Sequence, residues 1–356
     1  MSEVDITKPR KDPAGMLPNH MTSVIEVAVF DSRLIHIHIF YPTEYSIGAL
    51  IFPLGGTHIC NHKQPVFSRH FITFWHHLRY VPLLSALTFS RWRGFDGQAR
   101  ALGNFVGGAA RWFPISRRRI DRDLVRVFPN MRRAERMKLC HKIGHNMGQT
   151  LFEIYHCAEF QTRQENFSVS GPGLKALEAA HAAGKGAIIV SGHFGQWEAI
   201  RAVLKARGME TGAVYRPQTN RHYQRRLLAG IEAGGVPIIA TGKIGTKALV
   251  RHLRNGGFIA ILLDEKSGTG ERMPFLGHDA LTSLAAARLA LKYDIPMVPA
   301  YGTRVGGGSD FAVDFEAPIP PSDAHTMTQA FNDSLSARIL DKPDQWYWML
   351  RRWNDM

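Results

Sequence analysis

Gly186-Ala187-Ile188-Ile189-Val190-Ser191-Gly192-His193 begins as an apolar run and closes on polar residues around a glycine. A short apolar run bounded by glycines has the length of a strand buried on both faces. The residues that follow, Phe194-Gly195-Gln196-Trp197-Glu198, read as a turn into a helix. The same unit recurs on both sides. Helices are predicted over 174–183, 196–207, 223–233 and 246–254, each ended by glycine, and apolar strands over 187–190, 213–215, 236–240 and 258–263. A Gly-containing loop, a helix over 283–293 and a strand over 297–301 come next. Residues 313–315 add an antiparallel strand and 328–340 a closing helix. Strand and helix alternating in this way specify an α/β fold with a largely parallel central sheet flanked by helices.

Upstream, residues 91–149 read as helical and strongly basic, with eleven Lys or Arg against three acids between Arg111 and Lys142. Arg117, Arg118, Arg119, Arg122 and Arg126 form the densest run, next to Trp112 and Phe113, and read either as a solvated helix face or as a contact with an anionic membrane or carrier. The net charge of +14 calls for an anionic partner: nucleic acid, acidic membrane, acidic carrier protein or phosphorylated substrate. Nucleic-acid binding lacks a supporting module, since no finger spacing, aromatic RNA-binding signature or helix-turn-helix is evident. Three scattered cysteines, Cys60, Cys140 and Cys157, argue against a disulfide framework or a zinc knuckle. Residues 1–90 are expected to be an N-terminal extension without an assigned role, and 91–356 the main domain. No secretory signal is evident at the start. His36 and His38, on the alternating run 35–39, read as solvent-facing strand histidines. Residues 71–90, rich in Phe, Trp, Leu and Tyr, fit either an interfacial membrane segment or a partly buried surface helix.

In open α/β sheets the chemistry gathers at the carboxyl ends of the strands. His193, Arg216 and Asp264 each follow a predicted strand and therefore share one sheet edge. Glu198 lies five residues after His193, roughly 140° around a continuous helix. The two side chains can meet only if His193 precedes the helix and Glu198 sits in its first turn. A carboxylate on one ring nitrogen would then fix the tautomer and leave the other free to accept a proton. The helix start is also expected to offer free backbone N–H groups to an oxyanion or phosphate. Zinc is excluded by the single histidine, and a nucleophile elbow by the absence of a Gly-x-Ser-x-Gly frame.

Ser191-Gly-His-Phe-Gly-Gln-Trp-Glu198 resembles the signature of the bacterial lipid A biosynthesis acyltransferases, the lauroyl and myristoyl transferase family related to glycerolipid acyltransferases. Further blocks follow in that family's order: Val214-Tyr-Arg216-Pro217 with Asn220, Gly257 to Asp264, Met273-Pro-Phe-Leu-Gly277, Ala287 to Ala290, Pro296 to Pro299, and Gln345 to Trp353. Val127-Phe-Pro129 with Glu135 resembles the upstream helical region. The likeness spans roughly Arg91 to Trp353. The chain departs from the pattern at Glu265, where the family has Gln, and at Leu276, where it has Phe.

The resemblance implies transfer of a fatty acyl chain from a thioester, on acyl carrier protein or CoA, to a hydroxyl of a membrane lipid, a lipid A precursor. It implies no cofactor and no metal, and a place on the cytoplasmic face of the bacterial inner membrane. His193 is implied as general base and Glu198 as its partner, with Arg216, Asp264 and Asn220 at the substrate. Arg216 would hold a phosphate or else form an ion pair at a strand end. Asp264 would orient Arg216, contact the acceptor or cap its loop. The Trp-rich tail would pack on the core or lie at the membrane interface. A thioester hydrolase using the same pair is the rival chemistry.

Overall fold

Glycine, proline and apolar runs set the elements of the computed structural model, which describes residues 92–353 together with Val81, Pro82, Leu84, Ser85 and Thr88. The readings of His36, His38 and most of 71–90 fall outside these residues. Helix α1 (Phe95–Trp112) stops at Phe113, because Pro114 favours extended backbone before it and supplies the first residue of α2 (Pro114–Val127). Helix α3 (Arg133–Tyr155) starts where the Glu135 carboxylate accepts the Arg132 backbone N–H at 3.2 Å. The short α4 (Cys157–Gln161) leads to strand β1 (Phe167–Ser170).

The α/β alternation then runs through α5 (Gly173–Ala182), β2 (Ala187–Ser191), α6 (Glu198–Ala206), β3 (Thr211–Tyr215) and α7 (Arg221–Gly234). It continues with β4 (Ile238–Ala240), α8 (Lys243–Arg254) and β5 (Phe258–Leu262). After a two-stranded hairpin, β6 (Glu271–Phe275) and β7 (His278–Thr282), come α9 (Ala285–Tyr293), β8 (Met297–Val305), β9 (Asp310–Phe315) and α10 (Ala324–Asp341). The seven-stranded sheet has the order β1-β9-β8-β2-β5-β3-β4. From β8 to β4 every pair is parallel, and β9 runs antiparallel to β8 as expected for residues 313–315.

Two elements depart from the expected pattern. Strand β1 pairs with β9 in parallel. The hairpin replaces part of a predicted loop: Phe275 pairs with His278 across Leu276 and Gly277, whose φ of 50° and 78° make the two-residue turn that suits hairpin twist. Leu276 accepts the left-handed conformation while nearly buried, and Pro274 inside β6 hides the strand from a sequence reading.

Apolar side chains on both sheet faces form two clusters. One joins Ile188, Val190 and Ile259 to α8, α9, α10 and the Trp-rich tail, and the other joins Ile189 and Phe258 to α6 and the start of α1. Every residue of β2 is buried, as its apolar run predicts. Helices α1 and α3 cross where Gly103 and Gly107 face Gly144 and Gly148. A Cβ on Gly144 would lie 2.6 Å from Ala110 Cβ and 2.8 Å from the Val106 carbonyl oxygen. The backbone atoms cannot rotate away, so the helices would have to part.

This contrast gives a paired test. Gly108, also within α1, has open space where its Cβ would be. Gly108→Ala is expected to raise the unfolding midpoint, since Ala gains up to about 1 kcal/mol over Gly in a helix. Gly144→Ala is expected to lower stability by about 1–3 kcal/mol despite that gain, because overpacking dominates. Chemical denaturation of both variants checks the sign of each.

Candidate active site

The parallel register of β2 and β5 builds the centre. Ser191 pairs with Leu262, and the same offset carried two residues further sets His193 beside Asp264. The Leu263 N–H donates to the Ser191 carbonyl at 2.9 Å and keeps the two chains in step past the strand ends. Gly192 is required there, because a Cβ would meet Leu335 at 2.6 Å and Asp264 Oδ2 at 3.0 Å. Gly195, at φ 56°, passes so close to the Gly302 carbonyl that a Cβ would lie 2.1 Å from its oxygen. His193 thus precedes the helix, as the sequence reading required.

Its partner is Asp264. The His193 Nδ1 lies 2.8 Å from Asp264 Oδ1, and the His193 backbone N–H donates to Oδ2 at 2.6 Å. Trp346 Nε1–H donates to the same Oδ2 at 2.8 Å. An ionised carboxylate accepts only, so Nδ1 carries the proton and Nε2 is left as the acceptor. Among the described residues Nε2 has no hydrogen-bond partner. Asp264 is fully buried, while the His193 side chain is 17% exposed. Trp197 meets the imidazole edge-on at 5.1 Å, and Tyr347 lies across it at 6.3 Å.

The electrostatics follow from this geometry. Burial alone would push the His193 imidazole down, but the charge and hydrogen bond of Asp264, with Glu265 adding, hold it above its ordinary range. Burial pushes Asp264 up, and His193 and the Trp346 N–H more than reverse that, so the carboxyl sits below its ordinary range. The two groups shift in opposite directions, as expected of a base and its orienting acid.

Glu198 does not meet His193. It occupies the first turn of α6, yet its carboxylate binds the Arg201 guanidinium at 2.6 Å and makes no hydrogen bond to His193. Arg201 also donates to the Thr211 and Gly235 carbonyls, at 3.0 and 2.6 Å, tying α6 to β3 and the end of α7. Both side chains are almost fully buried, and burial lifts the Glu198 carboxyl above its ordinary range while Arg201 pulls it partly back. The helix start is likewise occupied. The N–H groups of Phe194, Gly195, Gln196, Glu198 and Ala199 all have protein acceptors, so those five are not free for an oxyanion.

The remaining expected residues divide. Arg216 lies at the carboxyl end of β3 and pairs with Glu265 at 2.7 Å, not with Asp264, at a half-exposed rim near His193. Asn220 caps α7, its side-chain oxygen accepting the His222 N–H at 3.0 Å, and is 3% exposed. Arg118 and Arg122 are exposed on α2, and Arg117 and Arg119 half-buried there. Arg126 instead folds over the Trp353 ring and donates to its carbonyl at 3.3 Å. Trp346, Trp348 and Trp353 are buried, the packing alternative for the tail. Sequence reading gave none of them a role in the centre. The signal was the indole N–H of Trp346, a donor that needs a partner once buried.

Beside Tyr347 opens a shallow apolar groove between α1, α2 and α3, partly open to solvent. It is lined by Val106, Ala109, Ile120, Ile143, Met147 and Met349, among others. No helix among the described residues is long and apolar enough to cross a membrane.

The family described as bacterial lipid A biosynthesis acyltransferase matches the chain over residues 76–355. The protein belongs to this family. It is 24% identical over 278 residues to a lipid A biosynthesis acyltransferase of Haemophilus influenzae, covering 75% of this chain and 84% of that one. Phosphatidylinositol mannoside acyltransferases of two Mycobacterium tuberculosis strains are 27% identical over 187 residues, 51% of this chain. That alignment spans 58% of the mycobacterial proteins, so the chain matches a little over half of their length. Membership agrees with the expected fold and with acyl transfer as the general activity.

Glu198 provides a test within the family frame. Removing one partner of a buried ion pair costs about 3–5 kcal/mol. Glu198→Gln is therefore expected to lower the unfolding midpoint strongly, while the folded fraction keeps the elevated His193 titration, read by histidine NMR. A His193 titration displaced in Glu198→Gln would instead put that carboxylate in the centre.

Proposed function

We propose that the protein transfers a fatty acyl chain from a thioester to a hydroxyl of a membrane lipid, with His193 as general base and Asp264 as its orienting acid. The observation that carries this is the buried Asp264 carboxylate on Nδ1, with Nε2 left without a hydrogen-bond partner among the described residues. The acceptor hydroxyl gives its proton to Nε2 as its oxygen attacks the thioester carbonyl. The tetrahedral adduct then collapses, the C–S bond breaks, and the leaving thiolate takes the proton back from His193. Asp264 stabilises the imidazolium between the two steps without taking its proton. A thioester is already activated, so no covalent enzyme intermediate is required.

Arg216, at the rim, is assigned to a phosphate of the acceptor or of the donor's pantetheine arm, in exchange for its pairing with Glu265. The apolar groove beside Tyr347 suits the acyl chain, because it is lined by Tyr347, whose ring lies across His193. The names of the relatives suggest phosphorylated or glycosylated lipids as acceptors, and a lipid A precursor is our choice. Acyl carrier protein is our choice of donor, on account of the chain's net charge of +14. Trp112 and Phe113, 71% and 48% exposed, stand among Arg111, Arg118 and Arg122, a combination suited to an anionic membrane surface. We therefore place the protein peripherally on the cytoplasmic face of the inner membrane.

The direct test incubates the purified protein with acyl carrier protein or CoA thioesters and a lipid A precursor. Acylated lipid by mass spectrometry is expected. Free fatty acid without acylated lipid would indicate a hydrolase. A general base works deprotonated, so kcat should rise with pH through a titration above the ordinary imidazole value near 6.5. In Asp264→Asn only Glu265 still opposes the burial of His193. The acidic limb is then expected to move to lower pH and kcat to fall by about 10²-fold or more. An unmoved limb with full kcat would remove Asp264 from the mechanism. Met147→Trp, which fills the groove, is expected to shift the preferred donor toward shorter chains, measured by competition between saturated thioesters of graded length.

A further inference from the structure

Helix α8 carries a charged stripe that the site does not use. Lys243, Lys247, Arg251 and Arg254 are all exposed, and among the described residues none of them makes an ion pair or hydrogen bond. At 100° per residue they fall within an arc of roughly 80°, and they run along roughly 16 Å of helix. Ile244, 87% exposed, flanks the arc, while Leu249 and Leu253 anchor the opposite side in the core. From Arg216 to Arg254 the chain has eight Lys or Arg and a single acid, Glu232. The helix has no acidic residue of its own to neutralise the row.

The position of this helix gives the stripe a direction. It follows β4, whose neighbours in order are β3, β5 and β2, so its Lys243 end lies at the same carboxyl edge as His193. Three strand spacings separate β4 from β2, roughly 14 Å. The line between them passes Arg216 after β3 and Asp264 after β5. An extended phosphopantetheine arm covers that distance, and its phosphodiester would travel past the Arg216 guanidinium.

We infer that α8 is the docking surface for an acidic, helical carrier protein that presents the acyl group on a pantetheine arm. This rests on the proposed thioester donor and adds where that donor sits. A narrow row of cations beside one exposed aliphatic residue matches an acidic helix lying alongside, with Ile244 as the apolar contact. A membrane surface is the poorer fit. Helix α8 has no Trp, Tyr or Phe to anchor at an interface, whereas the Arg-rich surface of α1 and α2 carries Trp112 and Phe113. Donor and acceptor then approach over separate helices.

The test measures binding of fluorescently labelled holo acyl carrier protein to the full-length enzyme by anisotropy, so it does not depend on turnover. The K243E/K247E/R251E/R254E variant should bind about tenfold or more weakly, and the corresponding glutamine variant should lose less. Raising ionic strength should weaken the wild type more than the charge-reversed protein. Circular dichroism checks that both variants fold. In turnover, the ratio of kcat/KM for carrier-bound over CoA-bound acyl donor should fall by about the same factor as binding. Unchanged carrier binding in the folded charge-reversed variant overturns the assignment. So does loss of sedimentation with phosphatidylglycerol vesicles while carrier binding persists, which would give the stripe to the membrane. Carrier binding that depends on α8 in a protein without acyl transfer would keep the docking surface and sink the proposed reaction.

Discussion

One buried carboxylate holds the centre together. Asp264 has no exposed surface and receives two N–H groups from His193 and one from Trp346. An uncompensated charge in that position would be expensive, so these donors are a condition for the fold. Three parts of the chain meet on it: the loop after β2, the end of β5 and the Trp-rich tail. The same interaction that satisfies the carboxylate fixes the imidazole tautomer. Packing and the state of the ring are therefore set by one group of atoms.

Around it, the molecule separates its charges by function. Glu198–Arg201 and Glu153–Arg304 are buried ion pairs whose guanidinium groups also reach backbone carbonyls. They join elements to each other and leave no charge for a ligand. Arg216–Glu265, by contrast, sits at a half-exposed rim where the pair can open without stranding a charge in the core. Exposed cations lie on α2 and α8, and aromatic neighbours distinguish the first from the second.

Local pattern carried most of the fold. The apolar runs, each preceded by a glycine-ended helix, located β2, β3, β4 and β5 and the helices between them to within a few residues, since burial and helix termination are encoded close by in sequence. The β6–β7 hairpin was hidden because Arg272 and Pro274 break its strand pattern and Leu276 takes a turn position usually given to Asn or Asp. The site was half legible. Its three strand-end residues were visible, but not which two would touch. That depends on β5 lying beside β2, a fact about sheet order with no local signal. Sequence proximity therefore favoured Glu198, whereas spatial register favours Asp264, 71 residues away. The fate of Arg126 was illegible for a similar reason, since its partner Trp353 lies 227 residues along the chain.

The Trp346 contact also bears on how the protein comes into being. A chain emerges from the ribosome amino end first, and Trp346 lies 82 residues beyond Asp264. Strand β8, which flanks β2 in the sheet, also follows both His193 and Asp264 in the chain. The imidazole and its carboxylate are thus synthesised well before the strand and the indole that complete their surroundings. A nascent chain holding both residues still lacks the strand and the indole that enclose them, so their geometry is completed only late in synthesis.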